Sequence, residues 1–114
     1  MKKIMRSLRN PNRKPTYPGA ILREDVLPKL DITQGAFANH LGVSRLTVSE
    51  ILHEKRGISA EMAVRIAKVI GGSPESWLHM QEAVDLWEVE QKFKQNPAIA
   101  PLALKPLMAT TLMP

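Results

Sequence analysis

The chain has 114 residues, no cysteine and a formal charge of +5. That length allows one small domain with tails and excludes a large multidomain enzyme, while the missing cysteines exclude disulfide frameworks, thiolate metal sites and cysteine nucleophiles. No stretch approaches the roughly 18 consecutive apolar residues of a membrane span and no apolar signal region follows the basic start, so a soluble, non-secreted chain is expected.

The charge is unevenly placed. Residues 1–16 carry six basic residues, Lys2, Lys3, Arg6, Arg9, Arg13 and Lys14, and no acid. Residues 17–95 hold nine basic and eleven acidic residues, a net of −2. A folded part of that sign can meet DNA only through a local basic face, whereas the arm suits any polyanion. The expected organisation is a basic flexible arm at 1–16, a helical domain at 17–95 and a Pro/Ala/Leu/Met-rich tail at 96–114. In that tail Pro97, Pro101, Pro106 and Pro114 break any helix, yet it is too apolar for an ordinary solvated tail.

Between the tails the pattern is helical throughout, with no strand alternation, and the start and stop signals divide it into five helices. The first begins near Pro18 with Leu22, Val26 and Leu30 as its apolar stripe, and Pro28 is expected to end its regular part. The second runs from a Thr33 cap to Leu41, where Gly42 supplies the left-handed stop. Ser44 caps the third, which reaches about His53, and Lys55, Arg56 and Gly57 form a turn. A fourth follows Ser59 with Met62, Ala63, Ile66, Ala67 and Ile70 on one face, and Gly71 and Gly72 stop it. Ser73, Pro74 and Glu75 start a fifth that extends towards Gln95.

The informative stretch is Gln34 to His53. Two short helices crossing steeply need a small residue where their backbones approach, a glycine in the turn and apolar residues at the crossing. Ala38, Gly42 and the set Phe37, Leu41, Val43, Val48 and Ile51 meet that need along the whole motif. A helix-turn-helix of this kind enters the major groove with its second helix, while its first helix points an N-terminus at a phosphate. Gln34 is then the phosphate-facing candidate, and Ser44, Arg45, Leu46, Thr47 and Ser49 are the candidates on the recognition helix. Arg45 is the residue suited to a bidentate guanine contact, and Leu46 and Thr47 can offer methyl groups to thymine. Glu50 reads as a solvated charge or as the acid that orients Arg45, and Lys55 and Arg56 sit where phosphate contacts are natural.

One recognition helix covers few base pairs, so a homodimer on two half-sites is expected. On the fifth helix Trp77, Met80, Val84 and Trp87 make one stripe, and Leu86, Val89 and Phe93 a second. The Trp87 to Phe93 end, comprising Leu86, Trp87, Val89 and Phe93, is the candidate dimer interface.

The run from Pro18 to about Gln91, with PGAILREDVL, FANHLGVSRLTVSEILHEKRGISAEMAVRIAKVI and SPESWLHMQEAVDLW, resembles the HigA family of antitoxins within the Cro/C1-type repressor superfamily. The resemblance implies an all-α, five-helix, lambda-repressor-like domain. It also implies a cytoplasmic, nucleoid-associated homodimer that binds a double-stranded DNA operator, represses its own operon and neutralises a RelE/HigB-like mRNA endonuclease toxin. By position Gln34 matches the phosphate-contacting start of the motif, and Arg45, Thr47 and Ser49 fall on the recognition helix. Leu46 departs from the family's common polar residue, and the tail after Asn96 lies beyond the pattern.

Catalysis is not expected. His40, His53 and His79 are scattered, and there is no HExxH spacing, Gly-rich phosphate loop or isolated carboxylate pair, so no catalytic residue, metal or cofactor is assigned. Two alternatives share the fold: a solitary transcription regulator without a toxin, and a protein-interaction module that has lost DNA binding.

Overall fold

The first helix is built around a proline that it has to accommodate. In the computed structural model, which describes residues 13–104, helix α1 consists of an α-helical turn at Pro18–Ile21, a wider π-helical segment at Leu22–Val26 and a second α-helical turn at Leu27–Leu30. Pro28 therefore does not end the helix. It has no N–H for the Glu24 carbonyl, and in a regular α-helix its ring would collide with that carbonyl. The backbone widens instead, with Leu27 N–H bonded to the carbonyl of Leu22, five residues back. The extra residue in that turn shifts the apolar stripe: Leu22 and Leu27 are buried, Val26 is half-buried, and Leu30 is exposed.

The remaining helices are α2 (Gln34–Leu41), α3 (Arg45–Leu52), α4 (Ala60–Ile70) and α5 (Pro74–Gln95), followed by a 3₁₀ turn at Pro97–Ile99. The described residues thus form five helices and no strand. All four hydroxyl caps read from the sequence are made: Thr33 accepts from Ala36 N–H, Ser44 from Thr47, Ser59 from Met62 and Ser73 from Ser76, at 3.0 to 3.1 Å. Gly42 takes the left-handed conformation, φ 76°, that ends α2 and opens the turn into α3.

Phe37, Ala38, Leu41, Val48, Ile51 and Leu52 are buried with Leu22 from α1, Ile66 from α4 and Trp77 from α5. The motif's crossing residues are therefore the centre of the core, with Val43 half-buried at its edge. Each large apolar side chain so buried contributes about 1.5 to 3 kcal/mol, which a chain without disulfides needs. Backbone contact sets the height of α1 over α3. A Cβ on Gly19 would lie 1.9 Å from the Ile51 carbonyl oxygen, so only glycine allows this approach.

One buried polar side chain, Gln81, ties α5 to the turn before α4. Gln81 on α5 accepts from Ile58 N–H at 3.0 Å and donates to Asp85 Oδ1 at 2.9 Å, satisfying a backbone donor in the turn before α4.

Candidate nucleic-acid interface

Helix α3 buries Val48, Ile51 and Leu52, and its other side faces solvent. At about 100° per residue that outer face carries Arg45, Leu46, Ser49 and His53, and Leu46 is 66% exposed near its start. Thr47 sits at the flank, where its Oγ1 lies 2.9 Å from Ser44 Oγ while Ser44 caps the helix. Those two hydroxyls shape the start of α3 before they can serve a ligand. Ser49 Oγ lies 3.4 Å from His53 Nδ1, which is 2.8 Å from the Ser49 carbonyl oxygen.

Arg45 has no hydrogen-bond or ion-pair partner among the described residues and is exposed. Its stem passes the start of α2, where a methyl on Gly35 would lie 4.0 Å from Arg45 Cδ. Arg45 and Gln34, assigned from sequence to base and phosphate respectively, thus share one patch with the α2 N-terminus, whose first N–H groups have no helical acceptor. Such a patch pairs a free guanidinium with amide donors, the groups that recognise base edges and phosphate oxygens.

The turn after α3 is less free. Arg56 pairs with Glu50 at 2.8 Å, whereas Lys55 is exposed with no side-chain partner among the described residues. Glu50 therefore holds Arg56 and does not orient Arg45. The sequence alone could not separate these, because Glu50 lies five residues, about one and a half helical turns, from Arg45 in one direction and five or six from Lys55 and Arg56 in the other.

Two arginines outside the motif hold it in shape. Arg23 on α1 donates to the carbonyl of Leu52, the last residue of α3, at 2.6 Å, and pairs with Glu54 at 3.2 Å and Glu24 at 2.8 Å. The hydrogen bonds it donates to Glu24 and then to Glu54 raise its pKa above the ordinary arginine value, so it remains charged. Arg65 on α4 does the same for α2, donating to the Leu41 carbonyl at 2.8 Å while Glu61 grips its guanidinium. The last carbonyls of a helix have no partner within it, and a cation there answers both the lone pair and the helix dipole. Sequence reasoning missed both residues; Glu61 and Arg65, an acid and a base four apart, are a visible helix-surface pair but give no sign of the third partner.

The sequence family described as Helix-turn-helix (HTH_3) matches residues 22–78. The chain belongs to the helix-turn-helix family. The HTH-type transcriptional regulator YbaQ of Escherichia coli K12 is 41% identical over 87 residues, 76% of this chain and 77% of that one. Antitoxin HigA-1 of Vibrio cholerae is 34% identical over 89 residues, 78% of this chain and 84% of its own length. The solved structure of antitoxin GraA in complex with its operator superposes with a TM-score of 0.72 at 37% identity, over 86% of this chain and 98% of that one. This helix-turn-helix protein is therefore similar to HigA and GraA antitoxins in both sequence and fold.

In this helix-turn-helix chain the four candidate interface residues of α5 separate into two groups. Leu86 and Val89 are exposed, 51% and 48%, and with half-buried Phe93 lie roughly opposite buried Trp77, Gln81 and Val84 on the helix. Trp87 faces elsewhere. Lys14 Nζ stands 5.8 Å from its ring centroid and 5.1 Å from that of Tyr17, and Tyr17 OH donates to Glu88. The inner end of the basic arm is thus fastened to α5, and residues 1–12 lie outside the described residues. Among the described residues no helix is long and apolar enough to cross a membrane.

Proposed function

We propose that the chain is a sequence-specific DNA-binding autorepressor and the antitoxin of a toxin-antitoxin pair, with a RelE/HigB-like mRNA endonuclease as the toxin it neutralises. The observation that carries the DNA reading is the free Arg45 on the solvent face of α3, beside Gln34 and the α2 N-terminus. Arg45 reads a guanine, Leu46 and Thr47 meet neighbouring methyl groups, and Ser44 and Ser49 line the groove. Gln34 and Lys55 engage phosphates and set the register, and Arg56 joins them only on leaving Glu50. Likeness to an antitoxin seen with its operator supports the same use of this face. The homodimer that presents two such faces forms through the exposed Leu86 and Val89 stripe with Phe93, and Trp87 borders it.

Fluorescence anisotropy on duplex DNA from just upstream of the gene, against a scrambled duplex, tests the DNA reading. Arg45→Ala is expected to weaken the preference by about 1 to 3 kcal/mol while leaving scrambled-duplex binding nearly unchanged. No preference in the parent protein would overturn it and favour an interaction module. Gel filtration with a RelE-like protein from the same source tests the antitoxin half: a stable complex supports it, and separate elution favours a solitary regulator.

A further inference from the structure

The proposed DNA face is short of positive charge. Of the nine cations in residues 17–95, Arg23 and Arg65 are committed to helix-end carbonyls and Arg56 to Glu50. On that face Arg45 and Lys55 remain, within a segment whose net charge is −2. One further side chain there can become a cation. His53 is exposed directly after α3, on the outer stripe that runs through Leu46 and Ser49, about 10 Å along the helix from Leu46.

The imidazole is held in one orientation. Its Nδ1 lies 2.8 Å from the Ser49 carbonyl oxygen, which also accepts the His53 backbone N–H at 3.0 Å. A carbonyl can only accept, so Nδ1 carries a proton whether the ring is neutral or charged. The proton that comes and goes is therefore on Nε2, the nitrogen that Ser49 leaves for an external partner. The chain beyond is fixed as well: Glu54 is left-handed, φ 63°, and Arg23 secures it through the Glu54 carboxylate and the Leu52 carbonyl.

The charged groups around His53 are Glu50 on α3, Glu54, Lys55 and Arg56 in the following turn, and Arg23 on α1. Both acids are taken, Glu50 by Arg56 and Glu54 by Arg23. No carboxylate pairs with His53 among the described residues, so a proton on Nε2 adds a charge that the protein does not neutralise. That charge stands at a helix C-terminus, where the helix dipole favours a cation.

We propose that His53 is a further DNA contact of conditional charge: when both ring nitrogens are protonated, Nε2 donates to a phosphate oxygen at the C-terminal end of the recognition helix, and DNA affinity is thereby linked to proton uptake. This rests on the DNA reading above. A phosphate contact carries no sequence information, so it strengthens binding to operator and other duplexes alike and leaves the choice of site to Arg45 and its neighbours. Histidine is the side chain whose charge ordinarily changes between about pH 5 and 8, whereas lysine and arginine side chains do not ordinarily titrate there. The charged form binds phosphate better, so affinity rises as pH falls through that range.

Anisotropy titrations on the upstream and scrambled duplexes, at about pH 7.5 and about pH 5.5, test this with the full-length protein. Three variants accompany the parent: His53→Gln, which stays neutral, His53→Lys, which stays charged, and His40→Gln, a control for the histidine in the last turn of α2. Parent affinity is expected to rise about three- to tenfold on both duplexes at the lower pH, with the slope of log affinity against log salt steeper by up to about 0.9. His53→Gln should match the parent at the higher pH and lose most of the rise. His53→Lys should bind at the higher pH about as tightly as the parent does at the lower, and His40→Gln should follow the parent. A parent affinity that does not change with pH, or a rise that survives His53→Gln, overturns the role of His53 while leaving the DNA reading intact. A loss confined to the upstream duplex also overturns it, because both duplexes offer the same phosphates. Should the parent bind neither duplex at either pH, the DNA reading itself fails, and the role of His53 with it. Unchanged thermal melting of the variants at both pH values verifies that the comparison is between folded proteins.

Discussion

Arg65 on α4 reaches back 24 residues in sequence to the carbonyl of Leu41, 2.8 Å away, and so closes the end of the first motif helix from outside the motif. The same guanidinium holds two hydrogen bonds to Glu61, which fix its direction. A charge-assisted bond of this type contributes about 1.5 to 3 kcal/mol. Arg65→Ala is expected to lower stability by about 1 to 2 kcal/mol in urea unfolding, and Glu61→Gln by less than about 0.5. Equal small effects of both substitutions would show that the carbonyl bond is not the important partner.

Gly19→Ala tests the backbone approach of α1 to α3. The added carbon would meet the Ile51 oxygen at 1.9 Å, and since both partners are main chain there is no side chain to move aside. A cost of about 3 kcal/mol or more is expected, seen as a large drop in melting temperature, together with weaker DNA binding because α3 shifts. A variant as stable as the parent would mean that α1 can lift from α3 at little cost.

Gln81→Leu conserves volume but removes the acceptor for Ile58 N–H, leaving that donor buried and unpaired. Unfolding free energy should fall by about 1 to 3 kcal/mol. Amide exchange at Ile58 should accelerate relative to the α2 and α3 core, an outcome that simple loss of packing would not produce.

Glu50→Gln removes the acid that holds Arg56. Both are partly exposed, so stability should change by less than about 1 kcal/mol. DNA affinity should rise severalfold on any duplex, with a salt slope steeper by up to about 0.9, because one guanidinium becomes available to phosphate. Unchanged affinity would place Arg56 off the phosphate path.

Truncation after Asn96 removes Ile99, Leu102 and Leu104, which are 48%, 93% and 85% exposed. Side chains so open to water contribute little burial energy, so the melting temperature of the isolated protein should move by no more than about 2 °C. A fall of many degrees would show that the tail belongs to the core.

The α2–turn–α3 unit was legible because its requirements are local. Caps at Thr33 and Ser44, the left-handed Gly42 and the buried faces around Phe37 and Val48 are all decided within one or two turns of chain. Helix α1 was misread for a related reason. Pro28 correctly signals a break in the α-helical hydrogen-bond ladder, but whether the chain stops or widens depends on what lies beneath it, and here the core takes Leu22 and Leu27 five residues apart. The charge pattern was equally legible as a count and illegible as a set of pairs: Glu50 could serve Arg45 or Arg56, and only the fold of the turn brings the second to 2.8 Å.

Sequence by itself determined the helix number, the caps, the helix-turn-helix and its solvent-facing candidates, because each follows from periodicity and turn chemistry among near neighbours. Tertiary structure alone decided that Arg23 and Arg65 close the ends of the two motif helices, that Gly19 sets the distance of α3 from α1, and that Tyr17 and Lys14 are held on α5. Those contacts join residues 24 to 73 positions apart, and no local period encodes which of several cations or glycines will meet a given carbonyl once the helices have packed.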